Sequence, residues 1–250
     1  MRNSLFTLAL IAIVWACAPP ARENVNPAAP GFDAQNSDPA AIALADSIMK
    51  AMGGRENWDA TRFISWTFFG RRTLTWDKHL GRARIVIPKD SIIFLVDLKN
   101  GTGRMQQKGI ELTEPDSLQK MMKKAVSIWI NDSYWLVMPF KLKDDGVTLK
   151  VANDDSVVDS RPHNILQLTF ANVGDTPDNK YWLAVDKSDK LITKWSFFSQ
   201  AALDTPNFTR PWDNYKQYGS ILLSGDRSDG GGPAQVAVHE TLPETVFTEF

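Results

Sequence analysis

The 250-residue chain carries 28 basic and 29 acidic side chains, a formal net charge of −1 and a single cysteine. Near-neutrality leaves no broad positive field for nucleic acid, and one thiol cannot build an internal disulfide framework. Stability must come from a hydrophobic core, which nine tryptophans and thirteen phenylalanines make strongly aromatic.

Residues 1–4 form a short, positively charged leader, and residues 5–15 (LFTLALIAIVW) are apolar. At ~11 residues this run is too short for a membrane span, which needs ~20. Val14-Trp15-Ala16-Cys17 follows, with a small residue before the cysteine. This is the layout of a bacterial secretory signal that ends at a lipidated cysteine. It resembles the lipobox of bacterial lipoproteins, which implies a signal peptide over 1–16 and a membrane anchor on a diacylated Cys17. Residues 17–37, rich in Pro, Ala and Asn and without period, read as a disordered tether. Residues 38–250 are then a single folded domain.

Asp38-Pro39 opens a helix as N-cap and first-turn proline. Ile42, Ala45, Ile48, Met49 and Met52 recur at helical spacing until Gly53-Gly54 stops it. A short turn or helix over 55–61 carries Trp58. From residue 62 the period becomes two: Ile64, Trp66 and Phe68 alternate with Ser65 and Thr67, and Leu74 and Trp76 follow. Further strands are expected at 83–87, 92–98 and 103–109, with an Asn100-Gly101 turn between the last two.

Residues 116–131 break the meander with a helical stripe of Leu118, Met121, Met122, Ala125, Ile128 and Trp129, capped by Thr113 or Asp116. Strand patterns resume at 147–152, 165–170, 181–186, 191–198, 215–223 and 236–240. Asp144-Asp145-Gly146 and Asn153-Asp154-Asp155 read as hairpin turns, and 224–233 (SGDRSDGGGP) as a flexible loop. These elements predict a mainly β (α+β) domain: a curved antiparallel sheet, an unclosed β-barrel, with an N-terminal helix and a helical lid.

The order of elements resembles the periplasmic lipoprotein-carrier (LolA/LolB-like) fold. The likeness is strongest in Tyr181-Trp-Leu-Ala-Val-Asp186, its Lys187–Lys190 turn and Leu191-Ile-Thr-Lys-Trp-Ser-Phe-Phe198. The segments 52–58, 66–70, 76–78 and 134–140 are similar to an uncharacterised family of Bacteroidota envelope lipoproteins. These resemblances imply a half-barrel around a greasy cavity and an outer-membrane lipoprotein facing the periplasm. The carriers' basic residue before an early-strand proline is replaced by Ile87 before Pro88, so that role is not carried over.

No recognised catalytic set emerges. His79, His163 and His239 are widely separated, without zinc-ligand spacing, and no Gly-x-Ser-x-Gly elbow or phosphate loop is present. Asp175 and Asp178 have oxygen ligands suited to calcium, and Glu111 and Asp97 could face each other across a cleft. Neither spacing demands it. The expected function is therefore non-enzymatic and cofactor-free: binding of a lipid or other hydrophobic small molecule by Trp66, Phe68, Trp76, Met121, Met122, Trp129, Trp195 and Phe197. The alternatives are a structural module with a filled core that contacts an envelope protein, and an enzyme acting on envelope glycans or lipids. No nucleic-acid partner is expected.

Overall fold

The computed structural model describes residues 26–171 and 177–250. The signal segment, Cys17 and Asp175 lie outside the described residues. Two helices, α1 (Pro39–Ala51) and α2 (Arg55–Ala60), precede a run of six strands: β1 (Phe63–Phe68), β2 (Arg72–Asp77), β3 (Arg82–Ile87), β4 (Ile92–Asp97), β5 (Thr102–Gln107) and β6 (Ile110–Glu111). The long helix α3 (Pro115–Val137) follows. Then come β7 (Val147–Val158), β8 (Arg161–Phe170), β9 (Lys180–Asp186), β10 (Ile192–Phe198) and β11 (Phe208–Pro211). The chain finishes with β12 (Tyr215–Tyr218), β13 (Ile221–Ser224), β14 (Pro233–His239) and the single turn α4 (Thr245–Thr248).

The strands form a seven-stranded antiparallel sheet, β14-β1-β2-β3-β4-β5-β6, a five-stranded sheet, β11-β10-β9-β8-β7, and the hairpin β12-β13. No ladder joins the two larger sheets among the described residues, so the barrel is unclosed, as the strand pattern predicts. The inner face of the first sheet carries Ile64, Trp66, Phe68, Leu74, Ile85 and Phe94, all buried. Helix α3 lies across that face, and α1 packs on β7. The outer face is covered by the C-terminal segment: Phe247 stacks on Phe63 at 6.1 Å, Arg82 pairs with Glu244, and Arg104 donates to the Thr248 carbonyl.

Several elements differ from the sequence expectation. Helix α3 does not stop near residue 131 but runs to Val137, because Leu136 and Val137 continue its buried stripe. Its cap is the Glu114 side chain, which accepts from the Asp116 and Ser117 N–H groups, and not Thr113 or Asp116. Asn153-Asp154-Asp155 sits in bulges within β7; the reversal falls at Asp159-Ser160, both with positive φ, as a two-residue hairpin turn requires. The single strand expected over 215–223 is the hairpin β12-β13, turned at Gly219-Ser220.

Residues 26–37 are not a free tether. The N–H groups of Ala29, Asp33 and Asp38 donate to the carbonyls of Lys143, Val147 and Leu149, and the Leu149 N–H donates to Ser37 Oγ. Strand β7 is the edge of its sheet, and this segment satisfies backbone groups that would otherwise be unpaired. Phe32 seals the contact as part of the core. The 224–233 loop is likewise packed down: the Arg227 guanidinium is buried and donates to Ser224 Oγ and the Trp135 carbonyl, over the Trp212 ring at 3.7 Å.

One glycine couples α3 to the sheet. Gly103 has φ +154°, and a Cβ there would lie 2.0 Å from the Leu95 carbonyl oxygen and 3.0 Å from Met122 Sδ. The missing side chain lets β5 lie against β4 while Met122 fills the space above. Gly103→Ala is expected to destabilise by at least ~1–3 kcal/mol, by overpacking that seam, measured by urea unfolding.

Asp77 is buried at the hairpin end of β2. Burial raises its carboxyl, but hydrogen bonds from Arg62, Arg82 and the Leu80 N–H outweigh that and hold it at about 2. A folded value below the ordinary 3.8 means that its contribution is present above about pH 4 and is lost as pH falls toward 2. Asp77→Asn should lower stability at neutral pH and flatten the acid limb of a stability–pH curve through this window.

Candidate ligand-binding cleft

A cleft of about 890 Å³ runs along the C-terminal half of α3. Ile128, Trp129, Tyr134 and Trp135 form the helix side; Phe170 at the end of β8 and Tyr181 on β9 form the opposite wall. Ile128 and Trp135, seven positions apart, share one face of the helix, Tyr134 reaches Phe170 and Tyr181, and the buried Asp132 and Ser133 line the cleft as well. Tyr134, Phe170 and Tyr181 lie mutually 5.5–6.2 Å apart. Tyr181 stacks on Trp195 at 5.3 Å, and Trp135 meets the same indole edge-on at 4.6 Å. The cleft wall is thus continuous with the aromatic core and shares its rigidity.

Charged groups also line the cleft. Arg72 of β2 donates to both carboxylate oxygens of Asp132 at 2.8 Å, and Asn131 donates to one of them at 2.9 Å. Burial raises the Asp132 carboxyl; the Asn131 and Arg72 hydrogen bonds pull it back only in part, and it stays above the ordinary aspartate value. At the loop before β7, Lys141 pairs with Asp144, and Asp145 accepts from the Gly31 N–H. Two polar atoms on the helix wall, the Tyr134 hydroxyl and Trp129 Nε1, are buried without a hydrogen-bond partner among the described residues. Burial accordingly holds the Tyr134 phenol well above its ordinary pKa.

A second, smaller notch of about 290 Å³ adjoins the cleft. Phe68, Phe69, Arg71, Arg72, Asn131 and Trp135 line it, and the last three of these belong to both.

The eight cavity candidates separate into distinct groups. Trp129 lines the cleft and Phe68 the notch. Trp66, Trp76, Met122 and Trp195 lie in the closed core, with at most 8 % of their surface exposed. Met121 packs partly buried against that core, and Phe197 stacks on Phe208 at 5.0 Å. The half-barrel interior expected to hold ligand is filled by these side chains together with Trp212, Phe94 and Phe198. The helix wall that replaces it was legible in part: extending the helical period past residue 131 would have placed Trp135, seven positions on, over one face with Ile128. Phe170 and Tyr181 carry no local signal, because only the pairing of β8 with β9 brings them together.

The other chemical candidates are placed in structural roles. Glu111 pairs with Arg104, and Asp97 accepts the Lys99 and Asn100 N–H groups of its own turn. His79 bonds the Asp59 carbonyl, His163 lies between Thr193 and the Arg161 carbonyl, and His239 bonds Ser65. Among the described residues no group of three or more His, Cys, Asp or Glu side chains could hold a metal ion. Among the same residues no helix is long and apolar enough to cross a membrane.

No family model and no curated protein matches the chain. Several solved structures are similar in fold. A DUF1329 family protein from Desulfovibrio piger aligns with 14 % identity and a TM-score of 0.45, covering 84 % of this chain and 98 % of that one. A putative outer membrane lipoprotein-sorting protein domain from Vibrio parahaemolyticus aligns with 10 % identity and a TM-score of 0.42, over 84 % and 97 % of the two chains. The LolA superfamily protein NE2245 from Nitrosomonas europaea gives 12 % identity and a TM-score of 0.37, over 82 % and 97 %.

Arg72→Met should leave the Asp132 carboxylate buried without its partner and destabilise by ~3 kcal/mol, whereas Arg72→Met combined with Asp132→Leu should recover much of the loss. A double-mutant cycle in urea measures both.

Proposed function

We propose that the protein is a membrane-anchored lipoprotein of the bacterial envelope, held at the outer membrane by Cys17 and facing the periplasm, that binds a hydrophobic ligand without catalysis. The observation that carries the binding reading is the cleft of about 890 Å³ walled by Trp129, Tyr134, Trp135, Phe170 and Tyr181. Its size lies within the ~300–1,000 Å³ typical of small-molecule sites, and its walls are aromatic with a few polar groups. The ligand lies along α3 and not inside the half-barrel, because tryptophan and phenylalanine side chains already occupy that interior. The envelope and anchor readings rest on the 1–17 sequence, with its charged leader, apolar run and small residue before cysteine.

The filled interior also favours a second reading, an interaction module that contacts another envelope protein through its surface. The two separate in one experiment. The full chain with Cys17→Ala, purified without detergent, should retain an apolar small molecule in native mass spectrometry, and Trp129→Ala should reduce its occupancy. An empty protein that crosslinks in cells to one stoichiometric partner would replace binding by the interaction reading. For the anchor, labelled palmitate should enter the wild type and not the Cys17→Ala variant; equal labelling of both would refute it.

A further inference from the structure

The notch beside the cleft holds a cation that the fold does not use. Arg71 is exposed, and among the described residues it is the one arginine whose guanidinium makes neither an ion pair nor a hydrogen bond. Each other described arginine has a partner. Arg55, Arg62, Arg72, Arg82, Arg104, Arg161 and Arg210 pair with carboxylates, and Arg84 and Arg227 donate to carbonyls.

The backbone holds Arg71 in place at some cost. It ends the β1–β2 loop, in which Phe69 has φ +49° and Gly70 φ +62°. A bulky aromatic residue in the left-handed region is strained. Phe69 is kept there by its N–H bond to the Gly232 carbonyl and by edge contacts with Phe68 and Trp135 at 4.9 and 5.4 Å. Strain compensated by such packing gives a fixed loop, and Arg71 stands on it beside an aromatic wall.

We propose that the notch receives the anionic head of a single-chain amphiphile, a long-chain carboxylate, whose apolar chain lies in the adjoining cleft. This rests on the hydrophobic-binder reading and specifies its ligand class. Three observations support it. The notch and the cleft share Arg72, Asn131 and Trp135, so one molecule can occupy both. The notch has no carboxylate among its lining residues, whereas Asp144 and Asp145 line only the cleft. Two arginines and the Asn131 amide give the notch donors without a competing lining acid, and a guanidinium matches a carboxylate in a fork geometry. Arg72 is already committed to Asp132, so Arg71 supplies the free charge. The cleft volume suits one chain better than a multi-chain lipid.

The test uses the full chain with Cys17→Ala, stripped of bound lipid, followed by tryptophan fluorescence, with Trp129 and Trp135 as reporters. The probes, kept below their micellar concentrations, are palmitate, methyl palmitate, hexadecyl phosphate and hexadecyltrimethylammonium. Palmitate should bind more tightly than its methyl ester, and the cationic amphiphile most weakly. Arg71→Ala should weaken palmitate about tenfold, as for loss of one charge-assisted hydrogen bond, and leave the ester unchanged. Arg71→Lys should restore part of the difference. The exposed Arg71 guanidinium makes no hydrogen bond or ion pair among the described residues, so the variant should unfold at the wild-type urea midpoint.

Equal affinity for palmitate and its ester, or an Arg71→Ala variant that binds palmitate as wild type does, overturns the anionic-head assignment and leaves the binder reading intact. Preference for hexadecyl phosphate over palmitate overturns the carboxylate in favour of a phosphate head. Failure of all four probes overturns both readings.

Discussion

The bidentate contact between Arg72 and Asp132 fixes how the rest of the molecule is arranged. A fully buried carboxylate on a helix is costly unless it is paired, so α3 can lie on the sheet only in the register that brings Asp132 to β2. That register aims Met122 at the gap left by Gly103 and sets Leu136 and Val137 into the core. It also turns Tyr134 toward Phe170 and Tyr181 at the ends of β8 and β9, while Trp135 meets Trp195 and Trp129 meets Trp76 of β2. A second tie acts further along, where buried Arg227 donates to the Trp135 carbonyl. The helix is therefore clamped at two points of its C-terminal half. It covers the sheet and is held there by both ties.

A fixed helix and a filled interior belong together. Trp66, Trp195 and Trp212 are fully buried at the middle of the molecule, and each ring occupies space that an apolar ligand would otherwise need. Their indole N–H groups have no hydrogen-bond partner among the described residues, so the core accepts a polar cost for the apolar area it gains. With the interior used for stability, a binding surface must lie where the two sheets and the helix fail to close. That place is the seam beside α3, between the β1–β2 loop and the ends of β8 and β9.

The fold was legible in the sequence wherever one periodicity ran undisturbed. Ile64, Trp66 and Phe68 alternate with Ser65 and Thr67, and the buried residues of β1 follow that alternation. Asp38-Pro39 and Gly53-Gly54 bracket α1, although the Asp38 carboxylate bonds Val151 N–H and Lys150 and does not cap the helix. The misreadings occur where long-range partners decide the local state. Polar or Pro/Gly-rich composition made 26–37 and 224–233 look free, yet an edge strand holds the first and a buried guanidinium anchors the second. The helix looked finished at residue 131 because the partners that hold its last turns, Phe170 and Tyr181 around Tyr134 and Trp195 against Trp135, are distant in the sequence. Of the site residues chosen for size and apolarity, Trp66, Trp76, Met122 and Trp195 were consequently consumed by the core, while Trp129 and Phe68 reached the cleft and the notch.

The same reasoning explains why a charge, and not an aromatic ring, distinguishes the binding surface from the core. Aromatic side chains are continuous from Trp195 through Trp135 and Tyr181 to the cleft wall, so ring content does not mark where packing stops and binding starts. Charge does, because every other described arginine is engaged in an ion pair or bonds a carbonyl, and the one left over stands on a constrained loop. Arg71 lies at the edge of the aromatic wall, on a turn whose strain is offset by Phe69 packing against Trp135. An unpaired cation held beside an apolar trough matches a ligand with one charged end and one greasy end. Among the described residues the arginine whose guanidinium has no hydrogen bond or ion pair is the more specific functional signal, and the surrounding tryptophans acquire meaning from their position next to it.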